Sequence, residues 1–169
     1  MTSTYIALLR AVNVGGTGKL PMADLKALCN ALGFISVRTY IASGNVVFES
    51  KVSAGKVKTL LEGKLEAYAG KPVGVMIRSA AEMAAVLTNN PFPNAASNRT
   101  VAIFLDKPPS ADALASVVGH RDEKIALGVR EIYVHYGDGM ATSKLRIPAA
   151  KSGTARNMNT VAKLAAMAR

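Results

Sequence analysis

The sequence holds a single cysteine, Cys29, no tryptophan, and aromatic residues at only 5%. One cysteine excludes a disulfide framework within the chain, and two scattered histidines, His120 and His135, give no ligand spacing for zinc. No metal and no cofactor is therefore expected. No apolar run approaches the ~18 residues that a membrane span needs, so no membrane partner is expected either. The opening stretch MTSTYIALLRAVN lacks a basic region ahead of its apolar residues and carries Arg10 within them, which reads as a strand rather than a signal peptide. A cytoplasmic location follows as the expectation. Carboxylates are scarce as well: 11 against 21 lysines and arginines, for a net charge of +10. None occurs after Asp138, while Lys144, Arg146, Lys151, Arg156, Lys163 and Arg169 all lie in that tail. Such an excess favours anionic partners, among them nucleic acid, nucleotides and phosphorylated metabolites.

What is present is aliphatic: hydrophobic residues make up 50% of a 169-residue chain, enough for a substantial core. Residues Tyr5 to Val12 are apolar on both parities and read as a strand buried on both faces. Pro21 suits a helix start, Met22, Leu25, Leu28, Cys29 and Leu32 mark one helical face, and Gly33 ends it. Ile35, Val37, Thr39 and Ile41 alternate with polar residues, ASGN turns, and VVFES returns as a hairpin partner. A helix over Ala54–Tyr68 and a strand in PVGVMIRS complete β-α-β-β-α-β, the ferredoxin-like order. The rest partly repeats it: a helix at Ala80–Leu87, a strand at Thr100–Leu105, and a helix near Ala111–Val118. A hairpin from Lys124 to Tyr136 and a last helix from Asn157 to Met167 follow. The expected class is α+β, with ferredoxin-like subdomains over 1–79 and 80–169.

This order has a spatial consequence. In a split β-α-β unit the first two strands run parallel and the third lies antiparallel between them. The end of the first strand and the turn between the second and third then meet at one sheet edge. NVGGTGK and SGN, distant in sequence, are expected to be neighbours.

The motifs are weaker than they look. AVNVGGTGKLP resembles a phosphate loop, but Asn13 stands at the first glycine of G-x-x-x-x-G-K-[ST] and Leu20 at the hydroxyl position. Pro21 likewise defeats a dinucleotide fingerprint. A looser anion nest of backbone N–H groups remains, against glycines that merely take positive φ in a turn. Thr154, Arg156, Asn157, Asn159 and Thr160 surround the start of the last helix, where they either cap it or face an anion. The histidines fit no nucleophile pattern and read as structural or solvated. Asp122 and Glu123 read as an acidic surface turn, and Ser53 to Lys56 as a chance S-x-x-K match. An RNA-recognition surface would stack bases on sheet aromatics; Tyr5 and Phe48 are present without the glycine-aromatic signature, and the second half of the chain can bury them.

Taken together, YIALLRAVNVGG, KLPMADLKALCNALGF, VRTYIASGNVVFES and ARNMNTVAKLAAM resemble the bacterial domain-of-unknown-function 1697 family from end to end. The resemblance implies two ferredoxin-like subdomains and no established activity. The family-like positions are Arg10, Asn13, Gly15, Gly16, Pro21, Ser43, Gly44, Asn45, Ser143, Lys144, Leu145, Thr154, Arg156, Asn157, Asn159 and Thr160. Two depart from the pattern: Met158 stands where tryptophan is usual, and Ala11 where glycine is common.

The leading expectation is a binding protein, and conceivably an enzyme, for a small anionic or phosphorylated ligand. Arg10, Lys144 and Arg156 would supply charge. Asn13, Ser43, Asn45, Asn157 and Asn159 would orient the ligand, with backbone N–H groups near Gly15 and Gly16. The alternatives are nonspecific nucleic-acid binding through the basic C-terminal half, and motifs that are purely structural. The sequence leaves the oligomeric state open.

Overall fold

A computed structural model describes residues 1–14 and 18–169. The fold is α+β with two four-stranded antiparallel sheets, and the chain divides into two compact units, 1–83 with 164–169, and 84–163.

In the first unit the strands are β1 (Ser3–Leu9), β2 (Ile35–Thr39), β3 (Asn45–Ser50) and β4 (Val75–Ser79), in sheet order β2-β3-β1-β4. Helices α1 (Met22–Ala31) and α2 (Ala54–Ala69) form the two crossovers. Alternation along the central strands divides the side chains between two faces. Tyr5, Ala7, Leu9, Val46, Phe48, Val75 and Ile77 pack with Leu25 and Cys29 of α1 and Val57, Leu61 and Leu65 of α2. Phe34 stacks on Phe48 at 4.3 Å, and Tyr5 donates its hydroxyl to the carbonyl of Val52 at 2.9 Å. Neither ring is therefore available to stack a base. Ile6, Leu8, Val47 and Met76 on the opposite face are buried too, as the double-parity pattern of β1 requires. Burial raises the Cys29 thiol to about 12, which leaves it unreactive at neutral pH.

Capping explains the ends of α2. Ser53 Oγ accepts from the Lys56 amide at 3.3 Å, and Gly70, at φ 74°, turns the chain out of the helix. Lys58 and Glu62 then tie the helix to β4: the Lys58 ammonium donates to the Val75 carbonyl at 2.5 Å, and the Val75 amide donates to Glu62 at 3.1 Å.

Both first-unit strands with extended expectations end early. β1 stops at Leu9 because Ala11 and Asn13 adopt left-handed backbone, at φ 57° and 55°. β2 stops at Thr39, ahead of Ile41 at φ 50°. A register shift between Ile35 and Arg38, with Ser36 at φ 53°, also breaks the alternation, so Val37 is buried while Ile35 is 50% exposed.

The second unit contains β5 (Thr100–Phe104), β6 (Lys124–Leu127), β7 (Glu131–His135) and β8 (Thr154–Asn157), in order β6-β7-β5-β8. The strand order repeats that of the first sheet; the connections do not. The expected helix near Ala111–Val118 is a run of turns, with i→i+3 bonds from Ala113 to Ser110 and Ala115 to Asp112. The Ser110 hydroxyl donates to Asp112 at 2.7 Å, local bonding that competes with a helix, and Ala113 is the one fully buried side chain there. Short 3-10 turns at Gly137–Thr142 and Pro148–Ala150 replace the second crossover.

Helices α3 (Ala80–Thr88) and α4 (Met158–Met167) each follow the last strand of a sheet without a loop. Before α3 stand buried Arg78 and the cap Ser79, whose hydroxyl accepts from the Glu82 amide while Glu82 accepts from the Ser79 amide. Before α4 stand buried Arg156 and the cap Asn157, whose side chain accepts from the Thr160 amide at 3.0 Å. The expected helix start at Asn157 therefore moves to Met158, because Asn157 ends the strand that pairs with β5.

Candidate functional site

At the edge where β1 ends, Leu9 donates its amide to the Gly44 carbonyl at 2.9 Å, and Leu8 pairs with Asn45. The loop after β1 and the hairpin turn are thus neighbours. Asn13 joins them. Its side-chain amide donates to the carbonyls of Ala42 at 2.8 Å and Leu20 at 2.9 Å, and its oxygen accepts from the Leu20 amide at 2.7 Å. Asn45 is fully buried and donates to the Tyr40 carbonyl and the Ser43 hydroxyl at 2.8 and 2.9 Å. Gly44, at φ 91°, has no room for a side chain: a Cβ would lie 2.6 Å from Val12 and 2.9 Å from Leu9. These polar residues close a latch on the sheet edge. The side-chain donors of exposed Asn13 and buried Asn45 are bonded to the protein's own carbonyls and to the Ser43 hydroxyl. Gly15 and Gly16 lie outside the described residues.

Beside the latch is a cleft of about 600 Å³. Arg10, Lys19 and Lys71 supply charge, while Leu20, Leu65 and Val73 form an apolar wall. The topology that delivers the hairpin turn also delivers Lys71. β4 runs antiparallel to β1, so its start adjoins the end of β1, and the Arg10 amide donates to the Gly74 carbonyl at 2.9 Å. Tyr68, at the rim, donates its hydroxyl to Asp24 at 2.7 Å, and that bond raises its pKa. Lys19 and Lys71 form no ion pair among the described residues.

The second unit has its own latch and cleft. Glu123 accepts from the Arg121 amide at 2.7 Å and from the Ser143 hydroxyl. Those bonds, Ser143 first, hold its carboxyl down at about 2. The same two segments are bridged by reciprocal amide bonds between Val118 and Arg146, at 3.0 and 2.8 Å. Gly119, at φ 70°, is obligatory, since a Cβ would fall 2.1 Å from the Lys144 carbonyl. The expected solvated acidic turn is thus corrected: Glu123 is buried and structural. A cleft of about 600 Å³ lies alongside, with Arg121, Lys124, Lys144, His135 and Tyr136 in its wall. Burial, and after it the charge of Glu123, raises the Tyr136 phenol.

The remaining expected residues stand apart from that cleft. Arg156 is a buried strand residue, donating to the Thr154 hydroxyl at 2.7 Å and the Ala155 carbonyl at 2.9 Å. Burial lowers its pKa to about 10, still fully charged at neutral pH. Asn157 caps α4, and Asn159 is exposed on its first turn. Sequence reasoning missed Lys71, Tyr68 and His135. The first two follow from extending the sheet-edge rule to the α2–β4 connection; nothing in the sequence ties His135 to Lys144.

Among the described residues no group of His, Cys, Asp or Glu is placed to hold a metal ion, and no helix is long and apolar enough to cross a membrane. A family model described as a protein of unknown function, DUF1697, matches residues 1–133. The chain belongs to this family. The fold of the DUF1697 chain is similar to that of the conserved bacterial protein SP0830 from Streptococcus pneumoniae, with a TM-score of 0.82 over 100% of both chains at 23% identity. No curated protein matches the DUF1697 chain. Ala11 adopts the left-handed backbone that glycine takes without strain.

Proposed function

We propose that this DUF1697 protein binds a small anionic ligand in the cleft at the end of β1. The observation that carries the reading is the convergence of Arg10, Lys19 and Lys71 on one concave, half-apolar surface. Its size falls within the ~300–1,000 Å³ of small-molecule sites. Arg10 offers a planar fork to paired oxygens, and the two lysines act as point charges. The family-like asparagines set the shape of the rim instead of touching the ligand.

A thermal-shift titration with inorganic pyrophosphate tests this. At a hundredfold excess over Kd, binding adds about 2.7 kcal/mol, a rise of roughly 5–10 °C in a chain of this length. Lys71→Ala should diminish the rise. An equal rise in wild type and Lys71→Ala would remove the cleft from consideration.

Nonspecific nucleic-acid binding is favoured by one observation, the absence of carboxylates after Asp138. Burial of Arg156 removes one cation from any surface stripe in that tail. This second reading predicts oligonucleotide affinity that falls steeply with salt and is unaffected by Lys71→Ala.

A further inference from the structure

The cleft of the second unit contains a histidine whose tautomer is fixed by its neighbours. Thr100 has one hydroxyl proton, and it is donated to the Ala96 carbonyl at 3.0 Å. The 3.0 Å contact between Thr100 Oγ1 and His135 Nδ1 must then be supplied by a proton on the ring nitrogen. Neutral His135 is accordingly the Nδ1–H tautomer, and Nε2 is a lone-pair acceptor. Phe92 packs against the ring, with centroids 6.3 Å apart, and fixes its orientation from another side. Nε2 is the edge toward Gly137, whose Cβ, were there one, would lie 3.9 Å from it, and both residues line the cleft.

Arg121, Lys124 and Lys144 line the same cleft and form no ion pair among the described residues. The nearby acids are mostly engaged: Glu123 by Ser143 and the Arg121 amide, and Asp138 by Arg99. Asp122 is the remaining carboxylate in the wall. With Asp138 neutralised by Arg99, the three cations stand against the ionised Glu123 and Asp122, an excess of positive charge that suits an anion. A phosphate dianion, however, offers only acceptors, and it cannot satisfy an acceptor nitrogen. A donor elsewhere on the ligand would complement the Nε2 lone pair of the neutral ring.

We propose that this cleft is a second binding site, for a small phosphate monoester that also carries a hydroxyl group. Arg121, Lys124 and Lys144 hold the phosphate, and His135 Nε2 accepts the hydrogen bond of the hydroxyl. The site is separate from the Arg10 cleft, and neither proposal depends on the other.

The test compares glycerol 3-phosphate with ethyl phosphate, which lacks the hydroxyls. Calorimetric titration of the full chain gives the affinities, and nitrogen-15 spectra of the imidazoles report on His135. Glycerol 3-phosphate should bind about tenfold more tightly, the worth of one well-made hydrogen bond, and should move the His135 Nε2 resonance. Lys144→Ala should weaken both esters alike. His135→Phe should erase the preference while leaving ethyl phosphate affinity in place. Lys71→Ala should change neither result. Equal affinities in the wild type, no binding of either ester, or an unmoved His135 resonance would overturn the proposal. A preference that survives in His135→Phe would do the same. If His135→Phe does not fold, the wild-type affinities and imidazole spectra decide the matter alone.

Discussion

The two units solve one problem with different chemistry. Each holds a loop against its sheet with a short polar latch beside a cleft that carries lysines unpaired with acids among the described residues. In the first unit the latch is an amide, Asn13, bonded to Ala42 and Leu20. In the second it is a carboxylate, Glu123, bonded to Ser143 and the Arg121 amide. An amide does not titrate, whereas a carboxylate held at about 2 has stability linked to acid. The comparison separates residues that shape the clefts from residues left to act in them. Asn13, Asn45 and Glu123 are bonded into the fold, and Lys19, Lys71 and Lys144 are not paired with acids among the described residues.

Breaking the latches sterically should have the largest effect. Gly119→Ala and Gly44→Ala each combine left-handed backbone with a Cβ inside contact distance of neighbouring atoms. Losses on the order of 3–5 kcal/mol are expected by denaturant unfolding. Gly119→Ala should exceed Gly44→Ala, because its clash is with a carbonyl of the backbone rather than with side chains.

Next comes the polarity of the amide latch. Asn13→Asp keeps an acceptor for the Leu20 amide but faces the Leu20 and Ala42 carbonyls with a charge. It should cost more than Asn13→Ala, which loses about 2 kcal/mol with its hydrogen bonds. The reverse order in chemical denaturation would mean that the side chain is not bonded in this way.

The carboxylate latch should respond to acid where the amide latch does not. Glu123 lies below its ordinary 4.5 in the folded state, so its contribution is present above that value and is lost as pH falls toward about 2. Hydrogen exchange at the Val118 and Arg146 amides should accelerate over that interval relative to the Leu20 amide. In Glu123→Gln the Val118 and Arg146 amides should be fast already at neutral pH, with little further change on acidification.

The smallest effect is a gain. Ala11→Gly relieves left-handed strain and should raise stability by about 1 kcal/mol in thermal unfolding. No gain would place the strain elsewhere in the loop.

Much of the first unit was legible because period and topology act together there. Double-parity apolar residues in β1, a helical stripe on α1 and a tight turn at ASGN specify the sheet order, and the order dictates which loops meet. The second unit was less legible. TARN is too short to show an alternation, so β8 goes unread and only its last residue, Asn157, is assigned to the helix that follows. The segment from Ala111 has apolar residues but no partner surface that buries them as a stripe, and turns resulted. The candidate site was legible only in part. A polar residue in a loop looks the same in sequence whether it bonds to its own backbone or to a ligand. Asn13 and Asn45 could be told from Lys71 only by their hydrogen-bond partners.

The division between latch and cleft is tested most directly by titrating inorganic pyrophosphate into Asn45→Ala and Lys71→Ala beside the wild type. The account predicts that Asn45→Ala lowers the melting temperature and keeps the wild-type affinity, while Lys71→Ala keeps the melting temperature and loses at least about tenfold in affinity. Wild-type affinity in Lys71→Ala, together with lost affinity in folded Asn45→Ala, would contradict it.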